Sequence, residues 1–231
     1  MPYPLDDATA NRLVNLFPRV LQREREPVQA ALTLLLEAEE ARRGAPDATG
    51  ALGALALLQG TVLKEEYDLS THAHHDAWRV DALVADVRGL IHVNARHGFA
   101  AGDALLRGVV GALKGAFPGA RVVRLHGDCF AALLVPSSGL QLDEGAGNGS
   151  AARAEAALTE AARAALPAGA ELPGFTLAQL SLAVRSPSHW QVLGPLVWAE
   201  LERAFALARM GGERGVQRRT LELAGAVPLT P

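Results

Sequence analysis

The chain has 231 residues, 49% of them apolar, which is enough to form the core of one medium-sized domain with an additional helical segment. A formal net charge of −3 argues against the strongly basic surface of a nucleic-acid-binding protein. The single cysteine excludes an intramolecular disulfide framework, the N-terminus lacks a signal-peptide pattern, and no stretch approaches the roughly 18 apolar residues of a membrane span. The sequence therefore predicts a cytoplasmic protein with no membrane segment.

The first 66 residues are predicted to be helical. Helices are expected over 5–22, 27–43 and 50–66, and Leu13, Phe17 and Val20 recur at helical spacing in the first of them. We find no chemical motif in this region. Because helices with leucine-rich stripes need a partner surface, the region 1–66 is predicted to be a packing or dimerisation module, and the protein a homodimer.

The pattern changes to alternating strands and helices after residue 78. The predicted elements are a strand over 80–87, a helix over 102–117, strands over 122–126 and 130–135, a helix over 151–166, a strand over 175–184, a helix over 195–212 and a last strand over 215–223. This β-α-β-β-α-β-α-β order predicts an α+β domain over 67–231. Its expected architecture is a ferredoxin-like, split-βαβ antiparallel sheet with helices on one face.

Four polar residues in this region are spaced as if to line one cleft. Asp86 ends the first strand and Asp128 lies in the turn of the hairpin, so their carboxylates can share a divalent cation such as Mg²⁺. Asn94 and Asp103 follow the first strand and offer acceptors and donors to a purine edge. The alternative is structural: solvated carboxylates at strand ends, a turn asparagine and a helix N-cap at Asp103.

Three sequence stretches carry a resemblance to a known family. The stretch "ADVRGLIHVNARHGFAAGDALLRGV" is similar to D-I-D-x-F-K-x-I-N-D-x-x-G-H-x-x-G-D-x-x-L, and "RLHGDCF" falls where that family has R-x-G-G-D-E-F. "AFALARMGGERGV" is similar to the ending A-L-Y-x-A-K-x-x-G-R-N-R-V. In order and spacing, the chain from about residue 67 to 220 resembles the GGDEF domain of bacterial diguanylate cyclases.

The resemblance implies a GTP site beneath the hairpin and a role in cyclic di-GMP signalling. It assigns the metal ligands to Asp86 and Asp128, with Mg²⁺ present only alongside the nucleotide. It also assigns nucleotide contacts to Asn94, Asp103, Gly98, Gly102 and Arg209.

The same comparison shows departures from the family pattern. The signature reads His126, Gly127, Asp128, Cys129, Phe130, so a histidine replaces its first glycine and a thiol replaces its glutamate. Arg88 replaces the second aspartate of D-I-D, and Ile91 replaces the phosphate-binding lysine. The R-x-x-D product site is absent at 117–120. These departures make the signature degenerate. Because the loss of a positioned acid typically costs about 10²–10⁴-fold in rate, no residue is assigned a catalytic role.

The leading functional hypothesis is a catalytically impaired regulatory domain that acts through contacts with an unidentified protein partner. Binding of GTP is expected to be weak or absent, with no measurable cyclisation. Two alternatives remain open: a diguanylate cyclase with residual or heterodimer-dependent activity, and a ligand-free scaffold whose function lies in the N-terminal helices.

Two further groups have chemistry of their own. Cys129 is interpreted as a small buried hydrophobe in preference to a redox thiol. A cluster of His72, His74, His75 and Asp76 has the residue types of a transition-metal site, but its spacing favours a solvated loop.

Overall fold

The computed structural model describes residues 45–69, 78–134, 149–185, 190–211 and 216–222. The residues from Pro46 onward form one compact unit. The helices predicted over 5–22 and 27–43 lie outside the described residues, as does the histidine cluster, and the dimerisation module therefore stays a prediction. No described helix has the length and apolar character needed to cross a membrane.

The described residues contain six strands and six helices. The strands are β1 (Leu52–Gly53), β2 (Trp78–Arg88), β3 (Arg121–His126), β4 (Cys129–Leu134), β5 (Gly174–Arg185) and β6 (Val216–Glu222). The helices are α1 (Ala54–Leu58), α2 (Thr61–Leu69), α3 (Leu90–His97), α4 (Phe99–Ala116), α5 (Ser150–Ala165) and α6 (Trp190–Arg209).

The strands form one mixed sheet in the order β1-β3-β4-β2-β5-β6. The inner strands β3, β4, β2 and β5 are antiparallel, as predicted. Both edge strands are parallel to their neighbours, β1 to β3 and β6 to β5, so the sheet is not antiparallel throughout. The chain reaches β6 from β5 through α6, and a crossover through a helix returns the next strand in the same direction.

Helices cover both faces of the sheet, and the prediction that they cover one face is wrong. Helices α3, α4 and α5 pack on one face, and α1, α2 and α6 pack on the other. The cause lies in β2, where Val80 and Val84 point to one face and Leu83 and Val87 to the other, and all four are buried. A strand that is apolar on both faces needs a layer on each side.

The helix predicted over 50–66 is instead β1, α1 and α2. The break between the helices falls at Gly60, whose φ is +71°. A Cβ on Gly60 would lie 2.1 Å from the carbonyl oxygen of Trp190, so the bare backbone admits the start of α6. Nearby, the rings of Tyr67, Trp78 and Trp190 pack with centroids 5.1–5.9 Å apart and join α2, β2 and α6.

The helix predicted over 102–117 begins earlier, at Phe99, and the sequence prediction misses α3. Gly89 and Gly98 bound α3 with φ near +82° and +83°, and these left-handed positions favour glycine.

The helix predicted from Pro195 begins at Trp190, so Pro195 lies in its second turn, where it removes one backbone hydrogen bond.

Candidate functional site

Asp86 and Asp128 come together at one end of the inner strands. Asp86 is opposite Cys129 in the β2–β4 register, and the backbone N–H of Val87 donates to the carbonyl of Asp128 at 3.3 Å. Burial raises the pKa of Asp86, and the negative charge of Asp128 raises it further, while Arg209, His126 and Arg88 oppose the change. The fold therefore holds two like charges close together, an arrangement that favours a bound cation.

The hairpin turn is held by contacts at its base. Gly127 has a φ of +45°, and the Arg124 side chain donates from Nε to the Gly127 carbonyl at 2.8 Å. The same guanidinium bonds to a carboxylate oxygen of Asp47 at 3.0 Å and lies over the Phe130 ring. These contacts fix the turn that carries Asp128.

His126 points from the turn toward α6. Its Nε2 lies 3.3 Å from Oε1 of Glu202, and its ring centroid is 6.2 Å from that of Phe205. His126, which replaces the first glycine of the signature, thus links the turn to α6. Sequence reasoning missed Glu202 and Phe205, although Glu202 and Arg209 are seven residues apart, a spacing that places them on one side of α6.

The thiol of Cys129 is completely buried, as predicted. Burial raises its pKa far above the ordinary value, and the carboxylates of Asp86, Glu202 and Asp128 add to the effect. The side chain belongs to the core cluster that includes α6. It is a neutral, protonated group at the position where the resemblance implies a glutamate.

Asn94 and Gly102 meet where α3 packs on α4. Oδ1 of Asn94 is buried and has no hydrogen-bond partner among the described residues, and a Cβ on Gly102 would lie 1.9 Å from that oxygen. Asp103 is the next residue, exposed in the second turn of α4. An unpartnered buried oxygen is costly, so Asn94 is a candidate for a ligand contact.

The alternative interpretation of Asp103 as a helix N-cap is wrong, because Gly98 holds that position and makes no side-chain cap. Gly98 has a φ of +83° and open space around it, so the α3–α4 turn accounts for this glycine. Gly102 is the glycine that permits a close approach.

Arg209 is near the end of α6, with its guanidinium 5.6 Å from the centre of the Phe205 ring. Its charge lowers the pKa of Asp86, so it acts electrostatically on the paired carboxylates.

Ile91, in the first turn of α3, is 73% exposed and gives an apolar surface where the resemblance implies a lysine. In the described part of the chain, no three His, Cys, Asp or Glu side chains converge on a metal position. Among the described residues, the two predicted metal ligands Asp86 and Asp128 therefore have no third such side chain beside them.

Asp86→Asn is expected to raise the free energy of unfolding at about pH 8, because it removes a charge that burial and the neighbouring Asp128 both disfavour. The folded-state pKa of Asp86 lies above 3.8, so wild-type stability falls as the pH rises from 3.8 through that higher value. The gain should vanish below 3.8, where residue 86 is neutral in both proteins. Thermal melts across this range measure it.

The matched control is Asp68→Asn, which neutralises an exposed carboxylate on α2. It should show no comparable gain at the higher pH. A lower stability of Asp86→Asn at every pH would contradict the expected repulsion.

Comparison with solved structures identifies the fold. The diguanylate cyclase SiaD from Pseudomonas aeruginosa, solved in complex with its activator SiaC, matches 92% of this chain and 76% of its own at 18% identity, with a TM-score of 0.51. The chain has the GGDEF fold.

Other GGDEF-domain structures match with lower TM-scores. The GGDEF domain of TpbB (YfiN) from Pseudomonas aeruginosa matches 76% of this chain and 93% of its own at 23% identity, with a TM-score of 0.49. The coiled coil and GGDEF domain of DgcB from Caulobacter crescentus, in complex with c-di-GMP, matches 87% of this chain and 100% of its own at 17% identity, with a TM-score of 0.47. No protein-family model matches the sequence, and no curated protein matches it significantly.

Proposed function

We propose that this GGDEF-fold chain is a catalytically impaired regulatory domain that binds a guanine nucleotide weakly and acts through protein contacts. The observation that carries the proposal is the contrast at the hairpin. The paired carboxylates of Asp86 and Asp128 are kept, while the neighbouring signature position holds the buried, protonated thiol of Cys129. Asp86 and Asp128 can still bind a cation, whereas Cys129 cannot take the acid–base role of the glutamate that it replaces.

The residues present fit a Mg²⁺ ion brought by a nucleotide. Mg²⁺ is usually held by one or two carboxylates together with substrate phosphates, so a pair of carboxylates is enough. Asp86 and Asp128 would supply that pair, and the ion would neutralise the repulsion between them. When bound, Mg²⁺ would offset the negative charge of the phosphates.

The unpartnered Oδ1 of Asn94 supports a guanine contact. Guanine offers N–H groups on its edge that an amide oxygen and a carboxylate accept, and Asp103 follows Gly102 on the adjacent helix. The surroundings of the phosphates are less favourable, because Ile91 provides no charge and the His126 side chain is directed to Glu202. Binding is therefore expected to be weak.

Protein contacts are proposed as the output of the domain. SiaD, with the same fold, was solved in complex with its activator SiaC. A GGDEF-fold domain that no longer cyclises can keep such a contact, because the contact depends on surface and not on turnover. The homodimer predicted through residues 1–66 is part of this proposal.

GTP titration of the full chain by calorimetry, with and without Mg²⁺, tests the nucleotide site. We expect weak binding that Mg²⁺ strengthens, and Asp128→Asn should remove the Mg²⁺ dependence. Asp103→Ala should reduce the preference for GTP over ATP, since a hydrogen bond to a charged group contributes roughly 1.5–3 kcal/mol. Asp68→Asn, with its exposed carboxylate on α2, should leave both properties unchanged.

Incubation with GTP and Mg²⁺ or Mn²⁺, followed by chromatography, tests for activity. We expect no cyclic dinucleotide. Steady product that disappears in Asp86→Ala would identify a cyclase and overturn the regulatory proposal. Absence of any GTP binding would leave the scaffold alternative and overturn the nucleotide site.

A further inference from the structure

A second cleft lies beside α3, where this helix faces the chain entering β5. It has a volume of about 270 Å³. Four of its side chains carry nitrogen donors, and one carries a carboxylate: Arg88, His92, Arg96, His97 and Glu171. Asp86, Asn94, Asp103 and Asp128 do not line it, so this cleft has a lining of its own. Arg88 stands between the two sites, because its charge also acts on Asp86.

The sequence places three of these donors on one helix and the fourth across the cleft from them. His92 and Arg96 are four residues apart on α3, so they lie one above the other on the helix surface. His97 follows Arg96, and Arg88 ends β2 just before the helix begins. Arg88 is opposite Gly174 in the β2–β5 register, which brings its side chain to the opposite wall of the cleft.

The Arg88 guanidinium is held over a glycine. A Cβ on Gly174 would lie 2.3 Å from an Nη atom of Arg88 and 2.8 Å from its Cζ, so the guanidinium occupies the space that a side chain at position 174 would take. Among the described residues, Arg88 has no ion pair or hydrogen bond. Its side chain is exposed, its fork carries five N–H donors, and its charge is permanent.

Glu171 is the one carboxylate among the side chains that line the cleft. It accepts a hydrogen bond from Nη1 of Arg96 at 2.6 Å, and both side chains are more than half exposed. Exposed ion pairs of this kind are weak, so a multiply charged anion with better geometry can take the place of the carboxylate.

We propose that this cleft binds the phosphate group of a small soluble ligand. Two guanidinium groups can each form a two-pronged contact with phosphate oxygens, and the two imidazoles add further N–H donors. Ligand pockets for drug-sized molecules usually occupy about 300–1,000 Å³. A cleft of 270 Å³ therefore suits a phosphate or a small phosphate ester and not a dinucleotide.

Calorimetric titration of the full chain with inorganic phosphate, without nucleotide or Mg²⁺, tests the proposal. We expect saturable binding that Arg88→Gln and Arg96→Gln each weaken by about tenfold or more, since each removes a charged hydrogen-bond donor. Gly174→Ala should weaken binding less than Arg88→Gln, because it shifts the Arg88 guanidinium from this place but leaves its charge and the flexible side chain that carries it. Circular dichroism checks that each variant is folded.

Two controls separate this site from others. Arg107→Gln removes an exposed arginine on α4 outside the cleft and should leave phosphate binding unchanged. Asp103→Asn should also leave it unchanged, so failure of the proposed nucleotide site does not affect this result. Absence of binding, or equal binding by wild type, Arg88→Gln and Arg96→Gln, would overturn the proposal. So would binding to phosphatidylglycerol vesicles that inorganic phosphate does not compete for, since the source would then be a lipid surface.

Discussion

Cys129→Glu is expected to destabilise the domain by about 3 kcal/mol or more at pH 8, the cost typical of a buried charge without a partner. The side chain at this position is completely buried, and its surroundings are already negative. Burial raises the pKa of the thiol now present, Asp86, Glu202 and Asp128 raise it further, and Arg209 opposes them only in part. A carboxylate introduced there would lose its hydration and face the same three charges.

The destabilisation should depend on pH in a defined direction. The same surroundings would raise the folded-state pKa of the introduced carboxyl above its unfolded value, so the folded protein would favour the protonated form. The variant would then be most stable below the unfolded pKa and would lose stability as the pH rises through the folded one. Denaturant unfolding at about pH 5 and pH 8 measures this difference.

Cys129→Gln is the matched control, because it has the shape of the glutamate without its charge. It should cost less than Cys129→Glu at pH 8 and show little change with pH. A Cys129→Glu protein as stable as wild type at pH 8 would mean that the carboxylate reaches solvent or a cation. Cys129→Glu combined with Ile91→Lys would restore two residues of the family pattern, and the first of these changes would still carry the cost of the buried position.

The residues that meet at the hairpin could be identified from the sequence because they lie in local patterns. Asp86 ends a long apolar strand and Asp128 lies in a two-residue turn, and both patterns are visible without a structure. Glu202 could not be found in this way. It reaches His126 from a helix 76 residues further along the chain, and no periodicity links two such distant positions.

The layers of the fold were harder to predict than its strands. Helix α3 has one buried residue, Val93, so its apolar periodicity is weak and only the glycines at its ends mark it. The cover on the second face of the sheet comes partly from α1 and α2, which the sequence prediction assigned to a separate module. Their packing depends on Gly60, whose role becomes visible only when Trp190 lies against it.

Gly194→Ala is expected to destabilise the domain by about 3 kcal/mol, because overpacking against rigid neighbours has a cost of this order. Gly194 lies in α6 where this helix contacts α1. A Cβ there would lie 2.3 Å from the carbonyl oxygen of Leu57, 2.5 Å from that of Leu58 and 2.8 Å from the backbone nitrogen of Gly60. All three are backbone atoms, so no side-chain rotation can relieve the contact and α6 must move away from α1.

Gly111→Ala in α4 is the matched control, since it is also a helical glycine but has no atom within 4 Å of the added Cβ. Alanine has the higher helix propensity, so this change should stabilise the domain by roughly 0.5–1 kcal/mol. Opposite signs for the two substitutions in urea unfolding would show that close backbone packing, and not helix propensity, decides the effect at Gly194. A stabilising effect of Gly194→Ala would mean that α1 and α6 can separate freely, and that the second face of the sheet does not depend on their close contact.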